Sequence, residues 1–170
     1  MLNFMSKSLA HSFASTRKIL QGEKLLFAFW RAESKEDSGY QHWYLPLKKI
    51  FGKVIVFDTS KNYFRYGRDV MNERLLEYVK IEKPDYIFFD LVYDEISIET
   101  ILEVRRVAPN AKTINLYADD DWRYEDFSRF YAPFFDYSIL TQDEGIMYKH
   151  DGIKNVFFLA KIANLKQIII

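Results

Sequence analysis

The chain predicts an α/β domain built on a parallel sheet, and three observations carry that prediction. Six short runs rich in β-branched and aromatic residues recur along it: KLLFAFW (24–30), KVIVFD (53–58), DYIFFDL (85–91), KTINLYA (112–118), FDYSILT (135–141) and NVFFLA (155–160). Most are nearly continuous in apolar residues, the pattern of strands covered on both faces. Stretches of helical apolar spacing separate them, and such alternation means parallel strands joined by right-handed crossovers. The expected architecture is a Rossmann-like three-layer domain with a mainly parallel six-stranded sheet, preceded by an N-terminal helix.

Each element has its own warrant. Residues 1–22 hold no acid before Glu23 and place Leu2, Met5, Leu9, Phe13 and Leu20 near helical spacing. That favours an amphipathic helix packed on the domain over a transit peptide. Helices are expected over 39–51, 68–81, 97–108, 122–134 and 142–151. Met71, Leu75 and Val79 form the stripe of the second, and Ile98, Ile101 and Leu102 that of the third. Residues 59–67 read as a loop. Thr141 with Glu144 makes a capping box, and Gly152 suits the stop of the last helix. Pro84 and Pro109 fall in helix-to-strand connections, where a missing amide proton costs little. The expected organisation is an extension (1–22), one domain (23–162) and an apolar tail (163–170).

Composition excludes several classes. The 170 residues carry 24 basic and 24 acidic side chains with no dense Lys/Arg block, which removes the electrostatic footprint of a nucleic-acid binder. With no cysteine there is no disulfide framework, thiolate metal site or cysteine nucleophile, in keeping with a reducing compartment, so a cytoplasmic location is expected. No apolar run approaches the roughly 20 residues that span a bilayer. Neither GxGxxG nor GxxxxGK[ST] occurs, so the glycine-dependent phosphate cradles are missing. A receiver domain is rejected on residue chemistry. Asp90 does end the third run, but the first ends in Trp30-Arg31 rather than an acidic pair, and no lysine follows Thr141.

Ligands of such sheets bind beyond the carboxyl ends of the strands. That rule selects 31–39, 59–67, 92–95, 119–121 and 142–143. The loop after the first strand is longer than its connection requires. It delivers Ser38 and Gly39 to a helix start and His42 just inside the helix. His42 is a candidate proton acceptor, since imidazole titrates near neutrality; an exposed histidine with no catalytic task fits the pattern equally. Asp119, Asp120 and Asp121 formally satisfy a DxD metal pattern, yet Asp121 before Trp122 reads better as an N-cap, with its neighbours near the positive helix end. Tyr124, Phe127, Phe130, Tyr131 and Phe134 fall mostly on one helical face and are expected in the core. Trp122 and Arg123 are better placed to meet a ligand.

KLLFAFWR, NERLLEYVKIEKPDYIFFD and above all YADDDWRYEDFSRFYAPFFDYSILT resemble the N-terminal half of the CgeB-like (spore maturation) glycosyltransferases, from about Lys24 to Leu159. The resemblance implies a GT-B enzyme, in which two Rossmann-like domains face across a cleft. The N-terminal domain there mainly receives the sugar acceptor, and a nucleotide-sugar co-substrate binds mostly to the other. It implies no further cofactor and no metal. His42, Asp119 and Asp120 then become candidates for the acceptor base. Arg31, Ser38, Gly39, Asp121, Trp122 and Arg123 become candidates for acceptor binding. The tail AKIANLKQIII departs from the family pattern, so the chain is expected to be either a truncated or frameshifted product or one half of a cleft that a second polypeptide completes with the donor-binding domain, and to be inactive alone. The competing expectation is a non-catalytic Rossmann-like binding module, a choice that fold alone does not make.

Overall fold

The computed structural model describes residues 20–31, 35–36, 39–118, 120, 122–141 and 145–158. The expectations for 1–19, Ser38, Asp119, Asp121, 142–144 and the tail at 163–170 lie outside the described residues.

Six strands form one sheet in the order β2-β1-β3-β4-β5-β6, and every pairing is parallel. They are β1 (Lys24–Phe29), β2 (Lys53–Asp58), β3 (Tyr86–Asp90), β4 (Lys112–Tyr117), β5 (Tyr137–Leu140) and β6 (Val156–Phe158). Each falls inside a run expected to be a strand. Register aligns Phe29 with Asp58 on one side and Asp90 on the other, so two carboxylates flank the end of β1.

The helices are α1 (Leu45–Ile50), entered through a wide π-type turn at Tyr40–Tyr44, α2 (Thr59–Tyr66), α3 (Arg68–Glu82), α4 (Ile98–Val107), the short α5 (Arg129–Tyr131) and α6 (Gly145–His150). Ser97 caps α4, its hydroxyl accepting from Thr100 N–H at 3.1 Å. Gly152 follows α6 with φ +75°, and Ile153 N–H reaches back to Tyr148 O at 2.8 Å, closing the helix as the glycine suggested.

Two expectations are corrected. Residues 59–66 are helical because Asp58, at the end of β2, accepts from Lys61 N–H at 2.9 Å and caps them. Residues 122–134 are not one helix. Ser128 N–H bonds five residues back to Arg123 O at 3.2 Å, widening the turn at Tyr124–Ser128, and Pro133 lies in a tight final turn, Ala132–Phe134. Of its aromatics, Tyr124, Phe127 and Tyr131 are buried and Phe134 packs on the core, while Phe130 is exposed.

The sheet has two unequal faces. On the first, Leu26, Ile55, Phe57, Ile87, Phe89 and Tyr117 lie in one core with Met71, Leu75 and Val79 of α3, Ile101 and Val104 of α4 and Tyr148 of α6. On the second, Leu25, Phe27, Phe29, Phe88 and Leu116 pack with Trp43, Tyr44, Leu47 and Ile50. Rings stack there, with Phe27 4.1 Å from Phe29 and Trp43 5.5 Å from Phe88. Towards β6 the described residues cover this second face only in part. Tyr137 and Phe157, 5.6 Å apart, are 40% and 51% exposed. No helix among the described residues is long and apolar enough to cross a membrane.

Candidate functional site

The sheet order reverses at β1, where the chain first adds β2 on one side and then β3 on the other. Such a reversal opens a crevice outside the carboxyl ends of the two diverging strands. The chain leaves β1, β3 and β4 at this edge, and the described parts of these loops are fixed by polar contacts, those after β3 and β4 to one another through Arg123.

After β1, Arg31 takes a left-handed conformation with φ 57°, uncommon for a side-chain-bearing residue, and its N–H donates to Ser60 Oγ at 3.1 Å. Ser60 Oγ–H in turn donates to Asp58 Oδ1 at 2.8 Å, tying the start of this loop to the capped end of α2. Trp30 packs against Tyr63 and Phe64 at 6.1 and 5.7 Å. Beyond the loop, Gly39 is buried and His42 is exposed on the wide turn before α1.

After β3 the chain folds around Glu95. Its carboxylate, on a residue only 6% exposed, accepts from Val92 N–H at 2.7 Å and Tyr93 N–H at 2.6 Å. Burial raises its pKa above the ordinary glutamate value, against the pull of these amides and of Arg123. Asn72 braces the same turn, donating to Glu95 O at 2.8 Å and accepting from Ser97 N–H at 3.0 Å. Asn115 of β4 accepts from Leu91 N–H at 3.3 Å.

After β4 the aspartate run meets this turn. Arg123 is buried, and its Nη2 donates to Leu91 O at 3.0 Å and to Val92 O. Its guanidinium lies 4.7 Å from the Phe127 ring, 5.4 Å from Tyr93 and 5.7 Å from Trp122. One buried cation therefore holds two exposed rings in place, since Tyr93 is 48% and Trp122 62% exposed.

Asp120 points the other way. Its backbone carbonyl accepts from Arg123 N–H at 3.2 Å and Tyr124 N–H at 3.0 Å, starting the turn, while its carboxylate accepts hydrogen bonds from Ser128 Oγ–H and the Tyr148 hydroxyl. It is 1% exposed. Burial and the bond to Asp120 push the Tyr148 phenol far above its ordinary range. Nearby, the Tyr117 hydroxyl and Asn115 Nδ2 are buried with no hydrogen-bond partner among the described residues.

The structure thus brings Arg31, Trp122 and Arg123 to the carboxyl edge of the sheet and leaves His42 exposed on the turn before α1. It seats Asp120 inside the domain. Asp58 and Asn115 escaped sequence reasoning as site residues, although Asp58 stood at a strand end where an N-cap is common, and Glu95 was reached only as part of the selected loop 92–95. Among the described residues no group of three or more His, Asp or Glu side chains is gathered for a metal. A second concavity of about 290 Å³ lies apart, lined by Tyr124, Glu125, Ile146, Met147, His150 and Asp151. No protein-family model matches the chain, and no curated protein sequence matches it.

Proposed function

We propose that the chain is the acceptor-side domain of a GT-B glycosyltransferase, acting in the cytoplasm with a nucleotide-sugar co-substrate, without metal, and with a second Rossmann-like unit to bind the donor. The observation that carries the reading is the pair of exposed rings, Tyr93 and Trp122, immobilised by buried Arg123 at the crevice edge. Fixed aromatic surfaces gain affinity because little side-chain freedom is lost on binding, and a sugar ring can lay its C–H face on them while its hydroxyls stay hydrated. The likeness to the CgeB-like series DDDWR…EDFS…YAP supports the same assignment.

Within this reading, the proton acceptor for an attacking hydroxyl is Asp119 or His42. Asp120 acts through the turn, because both carboxylate oxygens are already engaged by Ser128 and Tyr148. Arg31 and Trp122 stand on the acceptor side, Arg123 shapes it from beneath, and Ser38, Gly39 and Asp121 are assigned to it by the family resemblance alone. A binding module without catalysis is favoured by one fact only, the sequestered carboxylate of Asp120.

Saturation-transfer NMR with a panel of phenyl glycosides tests the proposal. Saccharide signals should be attenuated by the wild-type chain, and Trp122→Ala should weaken binding about tenfold or more, as loss of a central aromatic contact does. Retention of full binding in Trp122→Ala would remove the carrying observation.

A further inference from the structure

Where β1 and β2 end, the domain carries a cluster of rings that the crevice does not use. Trp30, just after β1, lies 6.1 Å from Tyr63 and 5.7 Å from Phe64, and those two rings of α2 stand 5.7 Å apart, edge to face. Phe64 is nonetheless 77% exposed, and Tyr66, at the end of the same helix, is 38% exposed. Apolar side chains scattered singly over a surface are ordinary, but several rings gathered at one helix end mark a contact surface.

Cations border these rings. Residues 59–68 hold Lys61, Arg65 and Arg68 with no acid, although the chain as a whole balances 24 basic against 24 acidic side chains. Asp58, the acid before this stretch, is buried, and the next, Asp69, lies in the first turn of α3. Two guanidinium groups lie on the Tyr66 ring, Arg65 at 5.2 Å and Arg74 at 4.6 Å. Arg74 Nε also donates to Asn62 Oδ1 at 3.0 Å, a neutral partner that leaves its charge uncompensated. Arg68 pairs with Asp94 at 3.3 Å, so its charge is partly offset.

We propose that Phe64 and Tyr66, with Arg65 and Arg74, form a docking surface for an anionic lipid bilayer. Rings flanked by long cationic side chains suit the bilayer interface, where the rings sit at headgroup level and the guanidinium groups reach phosphate. The local excess of positive charge selects an anionic surface over a neutral one. A stable protein partner needs about 800 Å² on each side, more than the end of one eight-residue helix offers, whereas a fluid headgroup layer demands no matched shape. Docking of this kind requires no membrane-spanning helix, and it stands whether or not the crevice binds sugar.

Co-flotation of the full chain with lipid vesicles is the test. Phosphatidylcholine vesicles with about 30% phosphatidylserine should bind the wild-type chain at least about tenfold more tightly than pure phosphatidylcholine vesicles do, and raised salt should release it. Phe64→Ser, at a position already exposed, should weaken binding about tenfold, the loss expected for one inserted ring. Arg65→Gln should weaken it about fivefold, the loss of one cation near an anionic surface. Ile81→Ser is the control, since that side chain is 76% exposed in the last turn of α3 and should leave binding unchanged. Unaltered melting temperatures in these variants keep a folding defect from imitating the result. Absence of vesicle binding by the wild type, equal binding to neutral vesicles, or equal losses in Phe64→Ser and Ile81→Ser would overturn the proposal. So would a wild-type dimer in sedimentation equilibrium that Phe64→Ser dissociates, which would make a second copy the occupant. Capture by polyglutamate without vesicle binding, lost in Arg65→Gln, would assign the surface to an acidic protein and equally overturn it.

Discussion

Asp120 organises the turn after β4 from inside the domain, and its partners are far away in sequence. Ser128 and Tyr148 stand 8 and 28 residues on, so no local pattern announced that the middle aspartate of the run would be buried. Sequence could read the run as a metal motif or a cap; only the packing of α6 against the turn at Tyr124–Ser128 chooses its partners. Asp120→Ala leaves the buried Tyr148 hydroxyl without its acceptor and Ser128 Oγ–H with only Arg123 O at 3.4 Å, and should cost about 2 kcal/mol in urea denaturation. A loss within a few tenths of a kcal/mol would show that these contacts contribute little. Glu95 makes a separate prediction. Its folded pKa is raised by burial, so above the ordinary glutamate value the native state holds this proton longer than the unfolded chain does. Its contribution is therefore fully present at low pH and declines as pH rises through the folded pKa. Urea midpoints measured across that range should fall with pH in the wild type relative to Glu95→Gln. A parallel pH dependence in the two proteins would refute it.

At the scale of elements, strands were the legible part. Their runs are apolar on both faces, and each observed strand sits within the run that predicted it. The helix α2 was not legible, because it buries little beyond Thr59 and Ser60 and so has no apolar stripe; its signal is a cap, Asp58, concealed as the last residue of a strand. Asp58→Ala should lower stability by about 1 kcal/mol, the usual loss for an N-cap carboxylate, with helix content decreasing in proportion. An unchanged denaturation midpoint would deny Asp58 that role. Gly52, between α1 and β2, faces a harder constraint. A Cβ there would stand 1.9 Å from Gln21 O, on backbone that Gly52 N–H to Leu20 O at 3.3 Å and Lys53 N–H to Glu23 O at 3.4 Å hold beside it. Gly52→Ala should therefore destabilise by about 1–3 kcal/mol, as overpacking does. Gly22→Ala, with open space around it, is the control and should be nearly neutral.

For the molecule as a whole, parallel strand order and a ligand edge at the strand termini follow from alternating patterns, which is why the loops at 31–39, 92–95 and 119–121 could be chosen from sequence. The switch point itself could not, since strand order depends on which edge of the growing sheet each right-handed crossover adds its strand to. Nor could the aromatic pair at Tyr93 and Trp122, joined only when Arg123 reaches across from the β4 loop to the β3 loop. These features make the crevice the centre of the proposed acceptor site, with the donor bound elsewhere. The most direct test is backbone-amide NMR of the isolated chain, titrated separately with phenyl glycosides and with uridine and guanosine diphosphate sugars. Shifts caused by the glycosides should cluster at 31, 92–95 and 122–123, while the nucleotide-sugars should bind no tighter than roughly micromolar. Submicromolar binding of a nucleotide-sugar, or glycoside shifts concentrated away from the carboxyl edge of β1, β3 and β4, would contradict the account.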